Sequence, residues 1–200
     1  MIILPINNTF LNSVTYIVYQ KDIDYCILID CGEWDTLRPI LNIINKKVKG
    51  VLLTHGHLDH IYGLKGLLNY DASILVYTNE EGHKELRNSR KNLSFYHEIP
   101  FTIDDYNPVV LENNQNLEFE GLVSVEVIET PGHSPSCITY RIGNNLFTGD
   151  AYIPGVKVYS SLPNGNKKLA LESIGMLSEM ENLGYNIYCG HHSYEKKNIK

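Results

Sequence analysis

The run Thr54-His55-Gly56-His57-Leu58-Asp59-His60 constrains this chain more than any other stretch of it. It follows directly on Val51–Thr54, a short apolar run that reads as a buried strand. In an extended segment residues two apart point the same way, so His55 and His57 can converge on one ion. Gly56 removes the side chain that would crowd that approach. The chain then turns into a helix, which carries Asp59 and His60 round to a neighbouring position suited to a second ion.

Further ligand types stand where such a site would need them. Thr130-Pro131-Gly132-His133 closes a strand-like run with a rigid turn that presents an imidazole. Thr148-Gly149-Asp150 ends another with a carboxylate, and Gly190-His191 ends the last. Any one of these alone is commonly a plain turn; together they repeat one design, a ligand held just past a strand terminus. His192 adjoins His191 and is the alternative to it, whereas His83 and His97 fall in an irregular stretch and read as surface residues.

The patterning around these motifs predicts the fold. Val14–Gln20 and Tyr25–Asp30, rich in Val, Ile and Tyr, read as hairpin strands joined by the polar turn Lys21–Asp24. Leu37, Ile40, Leu41 and Ile44 recur at helical spacing and give an amphipathic helix over about 35–46, after which Gly50 resets the chain into Val51–Thr54. A second helix begins near His60 with Leu64, Leu67 and Leu68 inward, and a strand follows at Ile74–Thr78. Residues 79–108 are polar and irregular, with a helix around Glu80–Asn88; a long segment of this kind is a lid or a linker.

Strands are then expected at Val109–Leu111, Leu117–Phe119, Val123–Thr130, Cys137–Ile142 and Leu146–Thr148, with Asn113-Asn114 and Asn144-Asn145 supplying turns. A last helix over about Lys167–Leu183 and a strand at Asn186–Cys189 complete the order. Two βαβ-containing halves, sheets face to face and helices outside, account for it: an α/β fold of the αββα sandwich type. A length of 200 residues makes one domain, 1–200, the expectation, and 43% hydrophobic residues can build its core without disulfides.

Charge and cysteine usage narrow the partners. A formal net charge of −6 argues against nucleic acid or an anionic membrane surface. The lysines cluster at Lys46, Lys47 and Lys49 and at Lys196, Lys197 and Lys200, which read as solvated ends of elements. Cys26, Cys31, Cys137 and Cys189 show neither C-x-x-C pairing nor zinc-finger spacing. Reduced cysteines, together with the lack of a basic and then long apolar run in Met1–Phe10, point to the cytoplasm. No stretch approaches the roughly 20 apolar residues of a membrane span.

His55, His57, Asp59 and His60, with His133, Asp150 and His191 in that order, resemble the ligand set of the metallo-β-lactamase superfamily over essentially the whole chain. Asp30-Cys31-Gly32 resembles the family's early Asp-x-Gly motif, whose aspartate buttresses the metal loop. The resemblance implies that His55, His57 and His133 hold one metal, that Asp59, His60 and His191 hold the other, and that Asp150 bridges them. It also favours His191 over His192, because the family's ligand directly follows glycine.

Two divalent ions, expected as zinc with iron or manganese accepted by the same donors, would share a hydroxide and aim it at an electrophile. Asp59 would orient that nucleophile while serving as a ligand. No Gly-x-Ser-x-Gly elbow competes with metal-activated water. A bridging Asp150 turns the resemblance away from true β-lactamases and toward thioesterases, lactonases, phosphodiesterases and related dioxygenases.

Asn92-Leu93-Ser94, Pro100-Phe101 and Thr130-Pro131-Gly132-His133-Ser134-Pro135 are similar to small single-domain hydroxyacylglutathione hydrolases, the glyoxalase II-like proteins. Lys157-Val158-Tyr159 is similar in spacing to their Lys-x-Tyr, which contacts the thiol carrier; an exposed lysine and a packed tyrosine explain it equally well. Glu129, Tyr62 and the segment Tyr152–Asn166 depart from that pattern, as does the lack of the helical domain of the longer enzymes.

The expected function is therefore hydrolysis of a small thioester or ester, with a small-molecule substrate. Three alternatives stay open: an iron-dependent persulfide dioxygenase, a lactonase in which Tyr152 donates to the lactone oxygen, and a non-catalytic ligand-binding member of the family.

Overall fold

A computed structural model describes residues 1–191; His192 and the lysines at 196, 197 and 200 lie outside the described residues. The first sheet has six strands in the order β1 (Ile2–Asn7), β2 (Val14–Tyr19), β3 (Tyr25–Ile29), β4 (Lys47–Leu52), β5 (Leu75–Thr78) and β6 (Val109–Val110). β1, β2 and β3 pair antiparallel, whereas β3 to β6 run parallel. The second sheet runs β11 (Asn186–Cys189), β10 (Asn145–Gly149), β9 (Ile138–Ile142), β8 (Val123–Glu129) and β7 (Asn116–Phe119), with only β10 and β11 parallel.

Three apolar layers follow from the side-chain alternation of these strands. Ile27, Ile29 and Leu52 of the first sheet meet Val125, Val127, Tyr140 and Phe147 of the second. On the outer face of the first sheet, Leu28, Val51 and Leu53 pack against Leu37 and Leu41 of α1 (Trp34–Ile44), Ile61 of α2 (Leu58–Ile61), and Leu64 and Leu67 of α3 (Leu64–Tyr70). Behind the second sheet, Leu146 packs against Leu177 of α5 (Lys167–Asn182). Helix, sheet, sheet and helix make the αββα sandwich expected from the order of elements.

Four differences from expectation have physical causes. The N-terminal edge strand β1 carries Leu4 and Pro5 in a run too mixed to signal a strand, and it is held by six paired positions along β2. Gly50 lies within β4, where it clears the Tyr77 ring, and a register shift against β3 takes up the irregularity. The helix expected from His60 is two short ones, α2 and α3. They break at Gly63, where a Cβ would meet the backbone of Glu33 and Trp34.

Residues 79–108 are neither lid nor linker. α4 (Glu80–Leu86) is capped by Asn79, whose side chain accepts from the Gly82 N–H at 2.9 Å. Past it, Leu86, Asn92, Ser94 and Ile103 are buried. No helix among the described residues is long and apolar enough to cross a membrane.

Candidate metal centre

The site forms where strands of both sheets end. Asp30 follows β3, His55 follows β4 and its two-residue extension, His133 follows β8, Asp150 follows β10 and His191 follows β11. α2 begins at Leu58 and brings Asp59 and His60 back over the same spot. The sequence-expected residues therefore converge from five segments of the chain. Three groups of donor atoms lie close enough together to hold an ion: His55, His57 and His133; His55, His60 and Asp150; Asp59, His60 and His191.

Outer partners orient these donors. A metal-ligating imidazole almost always engages its other ring nitrogen in a hydrogen bond, and His57 is the exception, with Nδ1 2.9 Å from His133 Nε2 and Nε2 unpartnered. His60 Nδ1 is 2.8 Å from Asp30 Oδ2, His133 Nδ1 is 2.8 Å from the Tyr159 carbonyl, and His191 Nδ1 is 3.2 Å from the Asn12 carbonyl. His55 Nδ1 meets the Thr54 hydroxyl at 3.1 Å. Asp30 is itself fixed: the Thr54 N–H donates to Oδ1 at 2.7 Å and the Thr54 hydroxyl to Oδ2 at 2.8 Å.

The atoms left facing inward fit a metal. His55 Nε2, His60 Nε2 and Asp150 Oδ1 are buried without a hydrogen-bond partner, and each such atom costs about 1–3 kcal/mol unless something satisfies it. Asp150 reaches toward both outer groups, with Oδ1 3.5 Å from His60 Nε2 and Oδ2 3.5 Å from His133 Nε2. Its Oδ2 is also 3.3 Å from His191 Nε2, and that nitrogen is 3.2 Å from Asp59 Oδ2.

The electrostatics divide the site in two. Burial pushes His55 well below the usual histidine range and His57 down to about 3, with neighbouring imidazoles adding to both shifts. Both are neutral, as ligands must be. Burial raises the carboxyls of Asp59 and Asp150, but His60 and His191 more than offset it and hold both below the carboxylate range. In turn the carboxylates outweigh burial at His60, which is raised, and at His191, which reaches about 10.

A buried carboxylate that the sequence did not flag joins two ligand loops. Glu85 of α4 is 1% exposed; its Oε2 accepts from the Gly56 N–H at 2.9 Å. The hydroxyls of Ser134 and Ser136 donate to its two oxygens. Burial raises its pKa, opposed by those hydrogen bonds. A Cβ on Gly56 would sit 2.6 Å from Glu85, so the glycine is required here as much by the brace as by the metal. Asn92 adds a second hold, accepting from the Leu58 N–H at 2.8 Å while its side chain donates to the Phe101 carbonyl at 3.0 Å. The Asn-Leu-Ser and Pro-Phe motifs thus support the metal loop.

The β1–β2 loop also borders the donor cluster, through Leu11 and Asn12. Leu11 and Asn12 both have positive φ, 53° and 57°, which costs about 1–2 kcal/mol for a residue such as leucine. Glu33 holds the loop, accepting from the Thr9 and Phe10 N–H groups at 2.8 and 3.0 Å. The Ser13 hydroxyl donates to the Asp59 carbonyl at 2.7 Å.

Of the weaker expectations, Lys157 and Tyr159 line a cavity of about 350 Å³ with His133, Asp150 and His191. Tyr152 does not face the site. Its hydroxyl donates to Glu181 of α5 at 2.6 Å, and burial and that carboxylate push its pKa up to about 12. A role for Tyr152 in donating to a lactone is therefore set aside.

Fold and donor set together define an αββα protein with His/Asp clusters able to hold metal. The profile of the metallo-β-lactamase superfamily matches residues 8–192, and the chain belongs to that superfamily.

The particular relatives come next. The chain is 30% identical over 190 residues to the hydroxyacylglutathione hydrolase of Buchnera aphidicola subsp. Baizongia pistaciae, covering 94% of this chain and 66% of that protein. It is 27% identical to the hydroxyacylglutathione hydrolase of Psychromonas ingrahamii, covering 73% of this chain and 49% of that one. The chain thus spans roughly half to two thirds of these relatives' length. Among solved structures, that of BLEG-1 B3 metallo-β-lactamase superposes with a TM-score of 0.86 at 24% identity, over 96% of this chain and 92% of that one. At that identity the likeness is one of fold.

Proposed function

We propose that this chain is a hydrolase using two divalent ions to cleave a small thioester or ester. His55, His57 and His133 would hold one ion, and Asp59, His60 and His191 the other. Asp150 would lie between them. The observation that carries the reading is Asp150 itself, a largely enclosed carboxylate within 3.5 Å of His133 on one side and of His60 and His191 on the other. The relatives named hydroxyacylglutathione hydrolase support a thioester as the bond broken. When bound, such ions supply a water of lowered pKa and positive charge beside the scissile carbonyl, and zinc, iron and manganese all suit these donors.

The chain's own residues do the rest. Asp59, fixed through its carbonyl by Ser13 and through Oδ2 by His191, accepts a hydrogen bond from the attacking water and sets its direction. Asp30 keeps the proton of His60 on Nδ1, so that Nε2 stays free. Tyr159 does the same for His133 through its carbonyl.

The test is turnover of hydroxyacylglutathione and a panel of thioesters and esters, abolished by chelation and restored by zinc. No turnover across the panel with two metals bound per chain would remove the substrate assignment. Oxygen uptake on a persulfide with about one iron per chain would replace hydrolysis by dioxygenation.

A further inference from the structure

The cavity beside the donor cluster has a composition that says what enters it. Leu11, Ile153, Val156 and Val158 supply aliphatic surface, Tyr159 adds its ring, and Lys157 is the one lysine or arginine of the lining. Its volume of about 350 Å³ lies at the small end of the range of about 300–1,000 Å³ for small-molecule sites. Leu11, Val156 and Tyr159 are 44%, 43% and 71% exposed, so three large apolar side chains stand in water around one opening. Leu11 does so from a left-handed backbone position that leucine disfavours. Strain and exposure coinciding at one residue beside a reactive cluster mark a surface kept for a ligand.

The peptide half of a glutathione thioester carries two carboxylates and an ammonium, and away from the donor cluster it would meet one charged side chain here, Lys157. An aliphatic chain would meet four aliphatic walls. We infer that this cavity receives the unbranched aliphatic limb of an acyl substrate, with its carbonyl toward His133, Asp150 and His191, and that Leu11 and Val156 set the limb's preferred length. This rests on the hydrolase reading for the bond broken, but the limb's place in the cavity stands on the lining alone.

Two measurements separate the parts. In the first, the zinc-loaded protein is titrated calorimetrically with the straight-chain carboxylates from acetate to octanoate. The dissociation constant should fall about fourfold per methylene until the cavity fills, and Val156→Asp should flatten the series. In the second, kcat/KM is measured for acetyl, butyryl and hexanoyl thioesters of N-acetylcysteamine, with the same rise expected in the ratio of hexanoyl to acetyl. Carboxylate affinity that climbs without any thioester cleavage overturns the hydrolase reading and leaves the aliphatic cavity standing. A flat or falling carboxylate series in the wild-type protein, or one that Val156→Asp leaves unchanged, overturns the cavity assignment even if thioesters are cleaved.

Discussion

Two walls face each other across the donor cluster, and they are built by opposite means. On one side α4 and the Asn92 segment brace the donor loops through buried polar side chains: Glu85 to Gly56, Ser134 and Ser136, and Asn92 to the Phe101 carbonyl. On the other, the segment from Ile153 to Tyr159 offers the cavity apolar side chains, and its one hydrogen bond to a ligand comes from the backbone, the Tyr159 carbonyl to His133. Side chains in the first wall cannot change without leaving a buried group unsatisfied; side chains in the second can, because the backbone makes the contact. The first wall holds the chemistry fixed, and the second is free to select what is acted on.

The largest effect should come from the residue between the walls. Asp150→Ala is expected to lose at least one of two metal equivalents, read by elemental analysis, and to weaken metal binding by more than about a hundredfold, beyond what loss of an outer partner costs. Retention of both metals would remove Asp150 from the ligand set.

Next, Glu85→Ala should weaken cobalt or zinc binding about ten- to a hundredfold and lower unfolding stability by about 1–3 kcal/mol, because Gly56, Ser134 and Ser136 lose their acceptor. Glu85→Gln, which keeps one acceptor oxygen, should recover part of both. If α4 only fills space, the two variants will bind metal equally well.

By contrast, Val156→Ala in the second wall should leave metal content unchanged. Its expected effect is a rise of about fourfold in KM for an acyl chain that reaches it. Loss of metal in this variant would show that the walls are not separable.

The smallest effect concerns the hold on the Leu11 loop. Hydrogen bonds from Thr9, Thr36 and Phe10 outweigh the partial burial of Glu33 and lower its pKa, so its contribution is complete above the ordinary glutamate range and is lost as pH falls through the lowered value. Urea unfolding of wild type and Glu33→Gln should therefore differ by no more than about 1 kcal/mol at neutral pH and converge in acid. A gap that widens in acid would reverse the sign argued here.

How much of this could be read beforehand depends on how local each signal is. His55, His57, Asp59 and His60 announce themselves because strand and helix periodicity acts within six residues. That His133, Asp150 and His191 join the same donor cluster is legible from their places just past strand ends and from family likeness. Glu85 is not: it is the penultimate residue of a helix that also carries Glu80 and Glu81, and only the tertiary contact with Ser134 and Ser136 separates it from them. Tyr152 erred the other way. It lies two residues past Asp150, but its ring packs against the cluster of Cys137, Leu146, Ala151 and Leu177 and its hydroxyl is taken by Glu181. Strand β1 was missed because an edge strand needs only one good partner, and β2 supplies it.

The contact between His191 and the Asn12 carbonyl joins residues 179 positions apart, and it lies beside the Val14 N–H to Gly190 carbonyl bond at 2.7 Å. During synthesis the β1–β2 loop leaves the ribosome early and must wait for β11 before its strained backbone gains this partner. Until then the Asp59 and His60 donors lack their third partner, His191, while His55, His57 and His133 are already in the chain. Docking of β11 therefore completes the donor cluster and ties an early loop to the last described strand in a single step.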